Sequence, residues 1–195
     1  SAVGNISYTG SGAVSNGTSG TITSSGGSVA LTSSASTMSL AKNVTAATSV
    51  TISQTDTYTG AAALSAGTTL SISGGTTVAP TGNLSSVGDM TLSGSGRVTL
   101  NGITAAVSGT GNIIITGGTL ASADGALWIY AANVTATSGD ITLTANAAAS
   151  WGFNLEATSK VETTSGDISI IGNAPSGVWG GYLQAVDILS TSGAI

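Results

Sequence analysis

The sequence predicts an all-β protein wound as a parallel β-helix, a β-solenoid of about eight coils of 20–28 residues. Three observations carry this. The phrase Thr-Ser-Gly-Asp-Ile at 137–141 returns unchanged at 164–168, and Thr-Ser-Gly-Ala-Ile stands at 191–195. Apolar residues sit two apart with Ser, Thr or Ala between them, the mark of a half-buried strand. Gly, Asn and Asp punctuate these short runs as turn residues do.

Aligning the phrase Gly-(Asp/Asn)-apolar-x-apolar along the chain puts its first apolar position at Ile6, Val29, Val50, Leu70, Met90, Ile113, Ile141, Ile168 and Ile195. The intervals are 23, 21, 20, 20, 23, 28, 27 and 27. The second position follows at Tyr8, Leu31, Ile52, Ile72, Leu92, Ile115, Leu143 and Ile170. The residue between is often hydroxylic (Ser7, Thr51, Ser71, Thr91, Thr142, Ser169) and is expected to face solvent. A second column, Val134, Val161 and Ile188, lies five residues before the glycines at 139, 166 and 193. Further short strands are expected at Leu127-Trp128-Ile129, Phe153-Asn154-Leu155 and Tyr182-Leu183-Gln184. Good helix formers are sparse, so no helix is expected.

A β-sandwich or barrel also uses many short strands, but hairpin folds do not require equivalent side chains at equal intervals. In a solenoid, residues one coil apart lie about 4.8 Å apart along the rod, and eight coils make a rod about 40 Å long. The chain reads as one domain over 1–195, with shorter coils over 1–110 and longer, Trp-containing coils over 111–195. Neither end carries an evident cap, which predicts stacking with copies of itself or with flanking coils.

Composition fits that architecture. Charged residues are 6% of the chain against roughly 25% in ordinary globular proteins; like charges stacked coil upon coil would repel. The net charge of −5 with only three cations argues against nucleic-acid binding. No apolar run is long enough for a membrane span. Cysteine and histidine are absent, which removes disulfides, thiolate metal sites and Ser-His-Asp chemistry.

The phrases SGDITLTA (138–145), SGDISIIG (165–172), GDMTLSG (88–94) and GNIIITG (111–117) resemble the repeats of filamentous-haemagglutinin-like and giant β-strand-repeat bacterial surface proteins. The likeness covers residues 84–195 and is looser over 1–83. It implies right-handed winding, secretion, an extracellular or cell-surface location, and service as an adhesin shaft or filament. It brings no catalytic residues.

Four chemistries are weighed against structural roles. The column Asp89, Asn112, Asp140, Asp167 could gather Ca²⁺ oxygens, but Asp and Asn after Gly also accept backbone hydrogen bonds at tight turns, and the latter is favoured. Trp128, Trp151 and Trp179, with Tyr130, Phe153 and Tyr182 nearby, either form a face that stacks on glycans or pack over wider coils; they occupy ASADGALW, NAAASWG and NAPSGVWG. Thr21-Ile22-Thr23 and Thr142-Leu143-Thr144 suggest an ice-binding array that does not recur on most coils. A β-helix polysaccharide lyase or hydrolase needs clustered acids with Arg or Lys; Arg97, Lys42 and Lys160 are scattered, and Glu156 and Glu162 flank Lys160 as a surface pairing. Asn-x-Ser/Thr sequons occur at Asn5, Asn16, Asn43, Asn83 and Asn133. The expected function is therefore a non-enzymatic structural or adhesive shaft, without cofactor or metal, with glycan binding as the alternative.

Overall fold

The computed structural model describes residues 1–17, 19–34, 37–119, 125–148, 151–174 and 179–195. Within them the chain is a parallel β-helix: 24 strands in three sheets of eight, with each coil giving one strand to each sheet. The first sheet holds Ile6–Gly10, Val29–Ser33, Val50–Gln54, Leu70–Gly74, Met90–Gly94, Ile113–Gly117, Ile141–Asn146 and Ile168–Asn173. The second runs from Val14–Ser15 to Gly181–Leu183, and the third from Ile22–Ser24 to Asp187–Ser190. Every strand pairing is parallel between successive coils, which rules out the hairpin-linked sandwich. No helix among the described residues is long and apolar enough to cross a membrane.

The phrase intervals are the register of the first sheet. Ile6 pairs with Val29, Val29 with Val50, Val50 with Leu70, and Leu70 with Met90. Met90 then pairs with Ile113, Ile113 with Ile141, and Ile141 with Ile168. From Val29 to Ile168 this spine is buried, while Ile6 at the first coil is partly covered. Ile195 departs from the expected core stack: it is 72% exposed. The residue before it still docks on the preceding coil, the Ala194 carbonyl accepting from Ile168 N at 2.9 Å.

The column Val134, Val161, Ile188 belongs to the third sheet, and it extends back through Ala105, Leu84, Leu64 and Val44 to Ile22. The second sheet adds Met38, Tyr58, Val78, Val98 and Leu127 to the interior. Three apolar columns therefore meet along one axis. No coil could shield its own share alone, because each lap is only one strand thick.

Tyr58 is the misfit in this core. It is fully buried, its hydroxyl has no hydrogen-bond partner, and a Cβ on Gly60 would lie 2.9 Å from that oxygen. The glycine thus supplies the room for the ring, and burial pushes the phenol's pKa well above its ordinary value.

Most of the added length of the long coils lies at one corner. In the short coils the first sheet passes almost directly to the second, as from Gly94 to Arg97; in the long coils residues 118–126, 147–152 and 174–180 intervene. From Thr37–Leu40 onward the corner between the second and third sheets stays tight and has its own geometry, whereas in the first coil residues 16–21 intervene. Gly102, Ala131, Ala157 and Ala185 directly follow equivalent outer residues, and all four have positive φ, from 48° to 64°. A non-glycine residue in that region costs about 1–2 kcal/mol, so the three alanines are held there by the packing of neighbouring coils.

Truncating the spine should separate its interior from its end. Ile141→Ala is expected to cost about 2–5 kcal/mol in chemical denaturation, whereas Ile195→Ala should fall within about 0.5 kcal/mol of the parent. Tyr58→Phe, which removes only an unpartnered buried hydroxyl, should leave stability unchanged or raised. Because the folded-state pKa is raised, the Tyr58 contribution to stability is intact below the unfolded value of 10.0 and declines as pH rises above it. Ultraviolet titration should show one tyrosine ionising only with unfolding, a component missing in Tyr58→Phe.

Candidate functional site

The repeated phrase has a structural role at every position. A Cβ on Gly166 would collide with the Gly139 carbonyl, and one on Gly139 with the Gly111 carbonyl, so the coils approach too closely here for any side chain. The following Asp or Asn links the coils. Asn112 N donates to Asp89 Oδ1 (2.8 Å), Asp140 N to Asn112 Oδ1 (2.9 Å), Asp167 N to Asp140 Oδ1 (2.8 Å) and Ala194 N to Asp167 Oδ1 (2.7 Å). Asn5 Oδ1 accepts from Ser28 N in the same way at the first coil. Asn112 keeps the column intact because its amide oxygen accepts as a carboxylate does. Among the described residues, no group of three or more His, Cys, Asp or Glu is placed to hold a metal ion.

A parallel ladder runs before the third-sheet strands, where Asn43 Oδ1 accepts from Ala63 N (3.2 Å) and Asn83 Oδ1 from Thr104 N (2.9 Å). Asn16 Oδ1 accepts from Ala41 N and Lys42 N. Four of the five sequon asparagines thus lend their amide oxygens to the coil joints.

The outer face of the first sheet carries two rows that are mostly hydroxylic. One runs Ser7, Ala30, Thr51, Ser71, Thr91, Ile114, Thr142, Ser169; the other runs Thr9, Thr32, Ser53, Ser73, Ser93, Thr116, Thr144, Ile171. Ile114 and Ile171 break the threonine array and are themselves exposed.

Trp128, Tyr130 and Tyr182 lie on the second sheet, with Trp151 and Trp179 on the corners that lead into it. Leu127 and Ile129 point into the core, so Trp128 and Tyr130 point out, their ring centroids 5.5 Å apart at 54°. Arg97, on the preceding coil, lies over the Trp128 ring at 5.8 Å. One row of this face reads Thr99, Trp128, Asn154, Tyr182, and the row beside it Asn101, Tyr130, Glu156. Trp151 and Trp179, on the lengthened corners, stack on each other at 5.7 Å and 20°. Tyr182 completes the cluster, 5.4 Å from Trp151 and 6.5 Å from Trp179. Trp179 is 62% exposed and Trp151 partly covered, so these rings stack outside the coil instead of closing its core. Phe153, by contrast, packs against the core. Parts of the three lengthened stretches, residues 120–124, 149–150 and 175–178, lie outside the described residues.

Sequence reasoning did not single out Asn154 or assign Glu156 to this face. Lys160 Nζ pairs with Glu162 Oε2 at 2.6 Å, a half-exposed pair of small energetic weight. Glu156 turns instead to the aromatics: its Oε1 accepts from Trp128 Nε1 (2.8 Å) and from Asn154 Nδ2 (3.2 Å). The second-sheet register, which sets Tyr130 beside Glu156 and Trp128 beside Asn154, was the available clue.

Comparison with protein-family models, curated proteins and solved structures found no match to this chain. The resemblance to bacterial surface repeats therefore rests on the phrase residues alone.

The side-chain ladder is testable at Asp140. Asp140→Asn retains an acceptor at the same place and should stay within about 0.5 kcal/mol of the parent. Asp140→Ala loses the bond to Asp167 N and should cost about 1 kcal/mol, read from denaturation midpoints at neutral pH.

Proposed function

We propose that the chain is a non-enzymatic shaft segment of an extracellular bacterial surface or secreted filament. The observation that carries this is the uninterrupted winding: eight parallel strands in each of three sheets around one apolar axis. At the first and last coils the strands pair on one side only, and residues in core register are partly exposed. Leu183, in line with Leu100, Ile129 and Leu155 of the buried interior, is 52% exposed at the last coil. At the first coil Ile6, Tyr8, Val14, Ile22, Leu31 and Leu40 surround an apolar opening of about 280 Å³. Unpaired strand edges beside bare apolar columns are a template for strand addition.

The distribution of polar chemistry supports the same reading. The phrase carboxylates are engaged by backbone N–H groups, Glu162 by Lys160 and Glu156 by Trp128 and Asn154. These acids sit in hydrogen-bonded structural roles, away from any pairing suited to proton transfer. The extracellular, bacterial setting follows from the likeness of the phrases to surface-protein repeats.

Electron microscopy of the purified chain at rising concentration is expected to show unbranched fibres one rod wide. Leu183→Glu places a charge on the exposed end of a core column and should shorten or abolish them, leaving circular dichroism unchanged. Compact, dispersed monomers of the parent chain at every concentration would overturn the proposal.

A further inference from the structure

Contacts between coils leave part of the aromatic face unused. Glu156 Oε1 is held by two donors, Trp128 Nε1 and Asn154 Nδ2, which fixes the carboxylate's orientation. Its other oxygen, Oε2, makes no hydrogen bond among the described residues. That acceptor is fixed beside Tyr130 and Trp128, one coil before the level of Tyr182.

Two buried polar atoms lie in the same row. Thr99 is 8% exposed and Asn154 is 6% exposed, yet Thr99 Oγ1 and Asn154 Oδ1 have no partner. Thr99 pairs in register with Trp128, and Asn154 stands between Trp128 and Tyr182. A buried, unsatisfied oxygen is costly, and such atoms in a native protein call for a role. From Trp128 to Tyr182 the row spans two coil steps, about 10 Å along the rod.

We propose that this face binds a neutral pyranose polysaccharide. Its sugar rings lay their C–H faces on the Trp179, Trp151 and Tyr182 rings, and a hydroxyl donates to Glu156 Oε2. The ligand must offer a flat apolar face and hydroxyl donors together, and pyranoses combine the two. A polyanion is disfavoured by the Glu156 carboxylate and by the net charge of −5. A lipid surface would gain nothing from a carboxylate held in one orientation. Trp179 and Tyr182 lie on the last coil beside Leu183, so the binding is tested on dispersed chains.

Affinity electrophoresis in gels cast with hydroxyethylcellulose, xyloglucan or galactomannan, and with polygalacturonate as the acidic counterpart, reads the binding directly. Retardation is expected in at least one neutral gel and not in polygalacturonate. Trp179→Ala should weaken retardation about tenfold, as the loss of a principal aromatic anchor does, and its exposure leaves the fold undisturbed by circular dichroism. Trp151→Ala/Trp179→Ala should abolish it. Glu156→Gln, which keeps the shape but loses the charge-assisted acceptor, should weaken it severalfold. Unchanged mobility in every neutral gel, retardation by polygalacturonate alone, or retardation indifferent to the double variant would each overturn the proposal. So would sedimentation showing that Trp179→Ala breaks lateral dimers of a chain that no neutral polysaccharide retards, since the face would then belong to a second copy.

Discussion

Parallel pairing between successive laps governs the rest of this molecule. A strand that hydrogen-bonds to the strand one coil before and one coil after sets each residue against its own equivalents, at a spacing of about 4.8 Å. Whatever is placed at a position is therefore multiplied along the axis. Aliphatic residues so multiplied become a core, asparagine and aspartate become chains of side-chain acceptors, and glycine becomes a channel in which backbones nearly touch. The same arithmetic explains the scarcity of charge, since a repeated lysine or glutamate would face itself on every coil. The close ion pair of Lys160 with Glu162 lies along one strand and not between coils.

Much of this was legible in the residues because register and sequence interval are the same quantity in such a fold. The intervals of 20–28 residues between Val29 and Ile168 became the pairing of the first sheet without adjustment, and Val134, Val161 and Ile188 became a column of the third. The second sheet was harder to read. Its buried row runs through Met38, Tyr58, Val78 and Leu127, dissimilar in size and shape, with glycine and proline (Gly60, Pro80) two residues on. Tyr58 occupies space left by Gly60, an exchange of volume that no periodicity announces. The aromatic face was visible as composition but not as geometry. Trp128 and Glu156 are joined only once the second-sheet register is known, and Trp151 and Trp179 meet through corners whose length follows no pattern.

Division of labour among the surfaces follows from the same winding. The first and last coils carry strand edges and partly exposed core columns. The flank of the second sheet offers indole and phenol rings around one oriented carboxylate, suited to a small-featured polar ligand. The outer face of the first sheet is mostly hydroxyl, interrupted by Ile114 and Ile171. These surfaces thus face different directions, along the axis and across it, and they meet at the last coil, which carries both Tyr182 and Leu183.

Most of the extra length of the three long coils enters where the first sheet hands over to the second, while strand pairing before and after it continues in step from Gly117 to Leu127 and from Asn146 to Phe153. That corner therefore behaves as a splice site in the architecture. A foreign peptide introduced there would hang outside the rod without shifting any register, and the same peptide in several coils would be displayed as a ruled line of copies. A scaffold of this kind can diversify what it shows to its surroundings while the framework that carries the load stays the same.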